Sequence, residues 1–370
     1  MNVRTVFAFA GSCLLLLTSL GTAADWGLKE GDPGVKSAGS LAFGPDGILF
    51  VGDSKSATIF AIATGDSKGE PAKVRIQLYG LNKQTATLLG TSPESITIND
   101  MATNPLSGNV YLSVTKGKGD SATPAIVRVN EAGKLSELGL TKVAFQKVVL
   151  PDAPEDKPIT RNGRTSNPRD DAITDLAYAE GKVFVSGLAA GDAPSSLHQI
   201  PFPFAQGLTG TRVEIFHGAH GRVENYAAIR TFVPITIGGQ PSLLAGFVCT
   251  PLVRFPIETL KSSEKTRGTT VAELGNRNRP LDMIAYNKDG KDFLLMSNSA
   301  RGVMKISTQD IARNDGITEP VKDGNTAGQP YETVKELTGV VQLDRLNDDN
   351  VVVLIQAADG TQDIKTVPLP

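Results

Sequence analysis

The sequence predicts an all-β protein folded as a six-bladed β-propeller. Gly 38 and Pro 22 in 370 residues are more turn formers than a helical protein needs, and they favour many short strands. A strand–turn–strand pattern recurs along the chain, and each copy is followed by a third apolar run. Four-stranded units repeating radially leave few exposed sheet edges, which is the economy of a propeller.

The first copy is Ser40 to Phe43, a turn at Gly44-Pro45-Asp46-Gly47, then Ile48 to Val51. The pattern returns at Asp100 to Thr103 with Val110 to Val114, and at Asp175 to Tyr178 with Val183 to Ser186. The clearest later copy is Asp282 to Tyr286, turning at Asp289-Gly290 into Phe293 to Met296. Weaker copies are Phe232 to Ile237 with Leu243 to Val248, and Val340 to Leu343 with Val351 to Ile355. Third strands are expected at Thr58 to Ala63, Ala125 to Val129, Leu252 to Phe255 and Val303 to Ile306. Outer strands are expected at Lys73 to Leu78 and Arg212 to Phe216. The last unit stops after three strands, so residues 25–38 are expected to supply its fourth and close the ring. A seventh blade within 130–170 is the alternative.

Residues 1–24 read as a secretory signal, followed by a single domain over 25–370. Arg4 precedes an apolar run from Val6 to Leu20, and small residues end at Ala24, the expected cleavage point. The run is too short for a membrane span. Cys13 follows Ala10-Gly11-Ser12, a poor lipid-attachment context. The expectation is a periplasmic or secreted monomer. Past Ala24 only Cys249 remains, so the mature chain has no internal disulfide and must rely on its core. Lys+Arg 37 against Asp+Glu 39, with aromatics at 6%, argues against nucleic acid as a partner.

Leu41-Ala42-Phe43-Gly44-Pro45-Asp46-Gly47-Ile48-Leu49-Phe50-Val51-Gly52-Asp53 resembles a blade of the NHL and SMP-30/gluconolactonase-like six-bladed propellers. No Trp-Asp repeat, sialidase Asp-box or quinone-docking Trp series is present. The resemblance implies a metal site at the channel, built from a Glu on the first opening strand and an Asn and an Asp from later blades. Asp175 and Asp282 match by position, whereas Ser40 stands where the family has its Glu.

Asp100, Asp175 and Asp282 share the first position of their innermost strands, so a propeller gathers them at the channel mouth. Clustered carboxylates suit calcium, or acid–base work where repulsion raises one pKa. They equally suit capping, each accepting backbone N–H bonds from a neighbouring loop. His217 and His220, in Phe216-His217-Gly218-Ala219-His220-Gly221-Arg222, are two of three histidines. Brought together by the glycines, they suit zinc or copper, with Cys249 as a candidate third ligand. His198 is read as structural.

Basic and amide residues at the same face form a second candidate set. Arg222, Arg230, Arg277, Arg279, Asn298 and Arg301 are candidate ligand clamps, or partners of nearby aspartates, and Arg161, Arg164 and Arg169 sit on a long loop. No nucleophile elbow, Rossmann fingerprint or CxxCH is present, and Lys116 to Asp120 lacks phosphate-loop spacing.

Three functions follow as expectations. The first is an exported propeller binding a small molecule or protein through its loop-rich channel-mouth face. The second is a metal-dependent hydrolase like the SMP-30/gluconolactonase group. The third is a copper- or redox-linked periplasmic protein using His217, His220 and Cys249.

Overall fold

Six sheets stand around a channel, each with its innermost strand on the axis, and all their pairings are antiparallel except that of Lys265–Arg267 with Thr211–His217. The computed structural model describes residues 26–370 other than 162, 207, 208 and 250, so the segment expected to be a secretory signal lies outside the described residues. In chain order the innermost strands are Leu41–Phe43, Ile96–Thr103, Asp175–Ala179, Ile229–Ile237, Pro280–Lys288 and Val340–Arg345, as the repeat predicts. No helix among these residues is long and apolar enough to cross a membrane.

The expected turns form where the sequence places them. Ala179 pairs with Lys182 across Glu180-Gly181, and Lys288 with Lys291 across Asp289-Gly290. All four turn residues have positive φ, between 51° and 75°. Two-residue turns of this mirror-image type match the natural twist of the strands they join.

The order of the blades around the ring departs from their order in the chain. Six apolar clusters mark the six seams. Leu49, Val51 and Phe60 of the first blade pack on Tyr111 and Ile126 of the second. On its other side the first blade meets the third, through Phe50, Ile59 and Ala61 against Ile173, Leu176 and Val185. The third meets the fourth, the fourth the fifth and the fifth the sixth. The sixth then meets the second, with Val352, Leu354 and Ile364 against Met101, Leu112 and Val127. The first and second blades have therefore exchanged places relative to a sequential ring.

The connections explain the exchange and correct three expectations. Ring closure does not use residues 25–38. The sixth sheet takes its fourth strand from Gln77–Leu78, which pairs with Lys365 and Ile364. The 73–78 run is thus not the outer strand of the first blade. That place belongs to Val143–Val149, paired with Thr58–Ala63, and Lys29–Gly31 adds a fifth strand outside it. Because Val143–Val149 completes the first blade, 130–170 holds no seventh. Its remaining surplus is the hairpin Ile159–Arg161 with Arg164–Ser166.

Residues 64–76 carry the chain from the first blade past the second to the sixth. Asp66 holds this crossing, its Oδ2 accepting bonds from Ser107 Oγ (2.8 Å), Asn109 Nδ2 (2.9 Å) and Tyr111 OH (3.0 Å). Asn104 Nδ2 donates to the Asp66 carbonyl at 2.6 Å, and Asn347 Nδ2 to Pro71 O at 3.0 Å. A buried carboxylate needs such donors to offset its lost hydration. The helix Leu81–Leu88 then buries Leu81, Thr85 and Ala86 and leads into the second blade.

Candidate functional site

The channel gathers carboxylates, as the repeat predicts, but at a different depth. Asp100, Asp175 and Asp282 occupy matching places, paired across the hairpin with Ser113, Ser186 and Ser297. They line a cavity of about 580 Å³ that also includes Ala102, Phe232, Met283 and Leu343. The cavity follows the inner strands forward to Pro71, Pro105, Pro234 and Asn347. It therefore leads to the face where innermost strands turn into second strands, not to the face where they begin.

A fourth acid, Asp344, joins the set and was missed in the sequence. Gln342 pairs with Leu354 and Asp344 with Val352, so Asp344 sits two residues beyond the ring position, about 7 Å nearer the cavity's open mouth. Its signal was there, an Asp in the right strand, but Gln342 holds the ring position in this blade, after the same bulge that precedes Asp100 and Asp282.

Each carboxylate has the same two backbone partners. One oxygen accepts the N–H of the next residue and the other accepts an N–H from the neighbouring blade. The Asp100 Oδ2 takes Leu41 N–H (2.7 Å), that of Asp175 takes Phe232 N–H (2.8 Å), that of Asp282 takes Leu343 N–H (2.8 Å), and that of Asp344 takes Thr103 N–H (2.6 Å). Four of the six seams are stitched in this way. The capping role is therefore present in the structure.

These bonds favour the ionised form, yet burial prevails. The carboxylates face the cavity and are part-exposed to it, but protein surrounds them. Burial, then the Asp175 charge, pushes Asp100 up to about 8. Burial and then Asp282 push Asp175 up to about 8. Asp282 rises well above its ordinary value through burial and then Asp100. Asp344, raised by burial, reaches about 6. Arg345 is the only basic residue among the described lining residues, and its guanidinium pairs with Asp348.

The arginine set divides. Arg230 and Arg279 line hollows at the opposite mouth, where Arg230 Nη1 binds Asp171 Oδ1 at 2.7 Å. Arg301 Nη2 donates to Asn276 O (3.2 Å), and Asn298 Oδ1 accepts the N–H groups of Ala300 and Arg301, so both shape a turn. Arg277 is exposed with φ 57°. Arg169 Nε donates to Pro154 O at 2.6 Å. His198 is buried against Asp152 (2.8 Å), in keeping with a structural role.

The two histidines do come together, on the rim. His217 ends the outer strand Thr211–His217 of the third blade, a short turn follows, and Arg222–Glu224 pairs back with His217 opposite Arg222. The ring centroids lie 3.9 Å apart. Gly218 permits the turn, since a Cβ there would lie 2.9 Å from Val321 and 3.0 Å from Glu273.

Glu224 is the third member of this group. His217 Nδ1 lies 2.8 Å from its Oε2, His220 Nδ1 2.7 Å from its Oε1, and Arg222 Nε 3.0 Å from Oε1. One ligand atom from each of His217, His220 and Glu224 lies within 4.8 Å of the others. Cys249 is not in this group. It sits in a turn of the fourth blade with φ 62°, its N–H bonded to Asn278 O. Nor do the channel aspartates converge in this way among the described residues. The sequence did carry Glu224, as His220-x-x-x-Glu224, and the hairpin pairing brings it back.

Burial alone would raise the Glu224 carboxyl, but bonds from His217, Tyr226, His220 and Arg222 bring it down to about 2. His217, nearly fully buried, is pushed below its ordinary value chiefly by that burial, against the pull of Glu224. Glu273, from the outer strand of the fourth blade, accepts the Gly218 N–H at 2.6 Å, and burial pushes it up to about 7.

The fold defines the chain as a six-bladed β-propeller, with a carboxylate-lined channel and a separate rim cluster. No family model matches it, and no curated protein does. Among solved structures it is similar to an oxidoreductase described as a glucose dehydrogenase from Thermus thermophilus. That similarity has 13% identity and a TM-score of 0.38, covering 92% of this chain and 100% of the other. It is also similar to the PQQ-bound aldose sugar dehydrogenase of Streptomyces coelicolor, with 14% identity and a TM-score of 0.30, covering 91% and 96%. A streptogramin B lyase matches with 11% identity and a TM-score of 0.29, over 94% and 100%. Likeness at this level carries no activity across.

Proposed function

We propose that this is an exported binding propeller whose central channel takes a small ligand rich in N–H or O–H donors, a cationic or polyhydroxylated molecule. The observation that carries the reading is the cavity itself, with four inward carboxylates and apolar walls from Phe43, Met101, Leu176 and Met283. When ionised, the form a cationic ligand favours, each carboxylate oxygen spends one lone pair on a backbone N–H and keeps another for a ligand. Apolar walls with a few convergent polar groups are the usual make-up of a small-molecule site. Access is from the face bearing Pro71, Pro105 and Asn347. A channel-metal hydrolase is less well supported, because the aspartate oxygens do not converge on a common point.

The test is thermal stabilisation by a panel of polyamines, quaternary amines and sugars. A ligand at about 100 times its Kd stabilises by about 2.7 kcal/mol. The expected result is a saturable rise in Tm that disappears in Ala177→Phe, which fills the channel. No saturable rise with any member, or a rise that survives the filled channel, overturns the reading.

A further inference from the structure

Independently of the channel, we infer that His217, His220 and Glu224 form a site for one divalent transition metal, zinc or copper, on the rim between the third and fourth blades. Two imidazoles and one carboxylate are the donors these ions prefer, and calcium disfavours such nitrogen-rich sets. The ligand atoms already lie within 4.8 Å of one another. Part of the scaffold is rigid, since His217 and Glu224 are both nearly fully buried. His220 is 43% exposed, so the site opens to solvent on one side and leaves room for a water or an outside ligand.

One further observation points the same way. His217 Nε2 and Glu273 Oε2 are buried and have no hydrogen-bond partner. Buried polar atoms left without partners are costly, and a bound ion is one way to satisfy an imidazole nitrogen so placed.

Arg222 opposes the cation. Its Nε lies 3.0 Å from Glu224 Oε1 and its Nη2 3.1 Å from Tyr226 OH, while its side chain is 64% exposed. Removing it should therefore strengthen metal binding, an outcome that a purely structural ion cluster does not produce.

The experiment uses the full chain without a histidine tag, stripped with chelator and titrated with Zn²⁺ by calorimetry at pH 7.5. Co²⁺ substitution serves as an optical probe. The expected result is one equivalent of saturable binding, visible cobalt bands, at least about 100-fold weaker binding in His220→Ala, and tighter binding in Arg222→Gln. His220 is the chosen variant because it is the exposed member, and Glu224→Gln provides a second. Folding of each is checked by circular dichroism. No saturable uptake by the wild type overturns the proposal, as does binding unchanged in folded His220→Ala and Glu224→Gln.

Discussion

Asp344 Oδ2 accepts the Thr103 N–H at 2.6 Å and so ties the last blade in the chain to the second. Asp344→Ala strips a partner from both Thr103 N–H and Arg345 N–H. The expected cost is about 1–3 kcal/mol, read as a lower urea midpoint, with Asp344→Asn intermediate because it keeps one acceptor. An unchanged midpoint in the alanine variant would show that the stitch contributes nothing.

Stability should depend on pH in a direction set by the channel. A carboxyl whose folded value is raised binds more protons folded than unfolded, so its contribution is complete below about pH 4 and is lost as pH rises towards 8. Glu224 works in the opposite sense, its contribution being lost as pH falls from about 4.5 to 2. Tm should therefore peak in mildly acidic buffer and decline towards pH 8.5. Asp282→Asn should flatten the alkaline side. A Tm that climbs steadily from pH 5 to 8.5 contradicts this assignment.

Asp66 secures the crossing segment through three side-chain donors from the second blade. Asp66→Ala leaves these donors without their shared acceptor and should cost about 2–4 kcal/mol. Tyr111→Phe removes one of them and should cost about 1 kcal/mol. Limited proteolysis offers a local readout, with cleavage within 64–76 expected to speed up in Asp66→Ala before the rest of the chain is cut.

Gly187 in the second strand of the third blade passes close under the chain entering that blade. A Cβ there would lie 2.1 Å from the Ala172 carbonyl oxygen. Gly187→Ala should destabilise by about 1–3 kcal/mol through this overlap. Gly181→Ala, with nothing within 4 Å but a φ of 72°, separates backbone strain from crowding and should cost about 1 kcal/mol. Equal losses from the two variants would argue against crowding as the cause at Gly187.

The repeat was readable because each inner hairpin is local: Asp289-Gly290 sets its own turn, and Phe293 to Met296 set their own apolar strand. Blade order was not readable. Every blade presents the same kind of apolar face, so nothing in Val143–Val149 says that it completes a sheet begun at Leu41. The two-residue strand Gln77–Leu78 is too short to carry a period. At the channel, Asp100, Asp175 and Asp282 were found because they share one register, while Asp344 was missed because it lies two residues past that register. On the rim the two histidines stood out by their rarity. Glu224 did not, because only the pairing of His217 with Arg222 turns the chain back on them.

The exchanged blade order has a bearing on how the molecule is made. As the polypeptide emerges from the ribosome, its opening sheet has three strands by Ala63 and must wait for Val143–Val149, with the whole second blade synthesised in between. Gln77–Leu78 waits far longer, until Ile364 and Lys365 arrive at the very end. The first edge thus stays unfinished until Val149 is made and the second until Lys365, and edges of this kind invite wrong partners. A chain cut short before Gln362 would lack the last edge's partner, so a nascent chain cannot shut its circle early, and completion is a single late event.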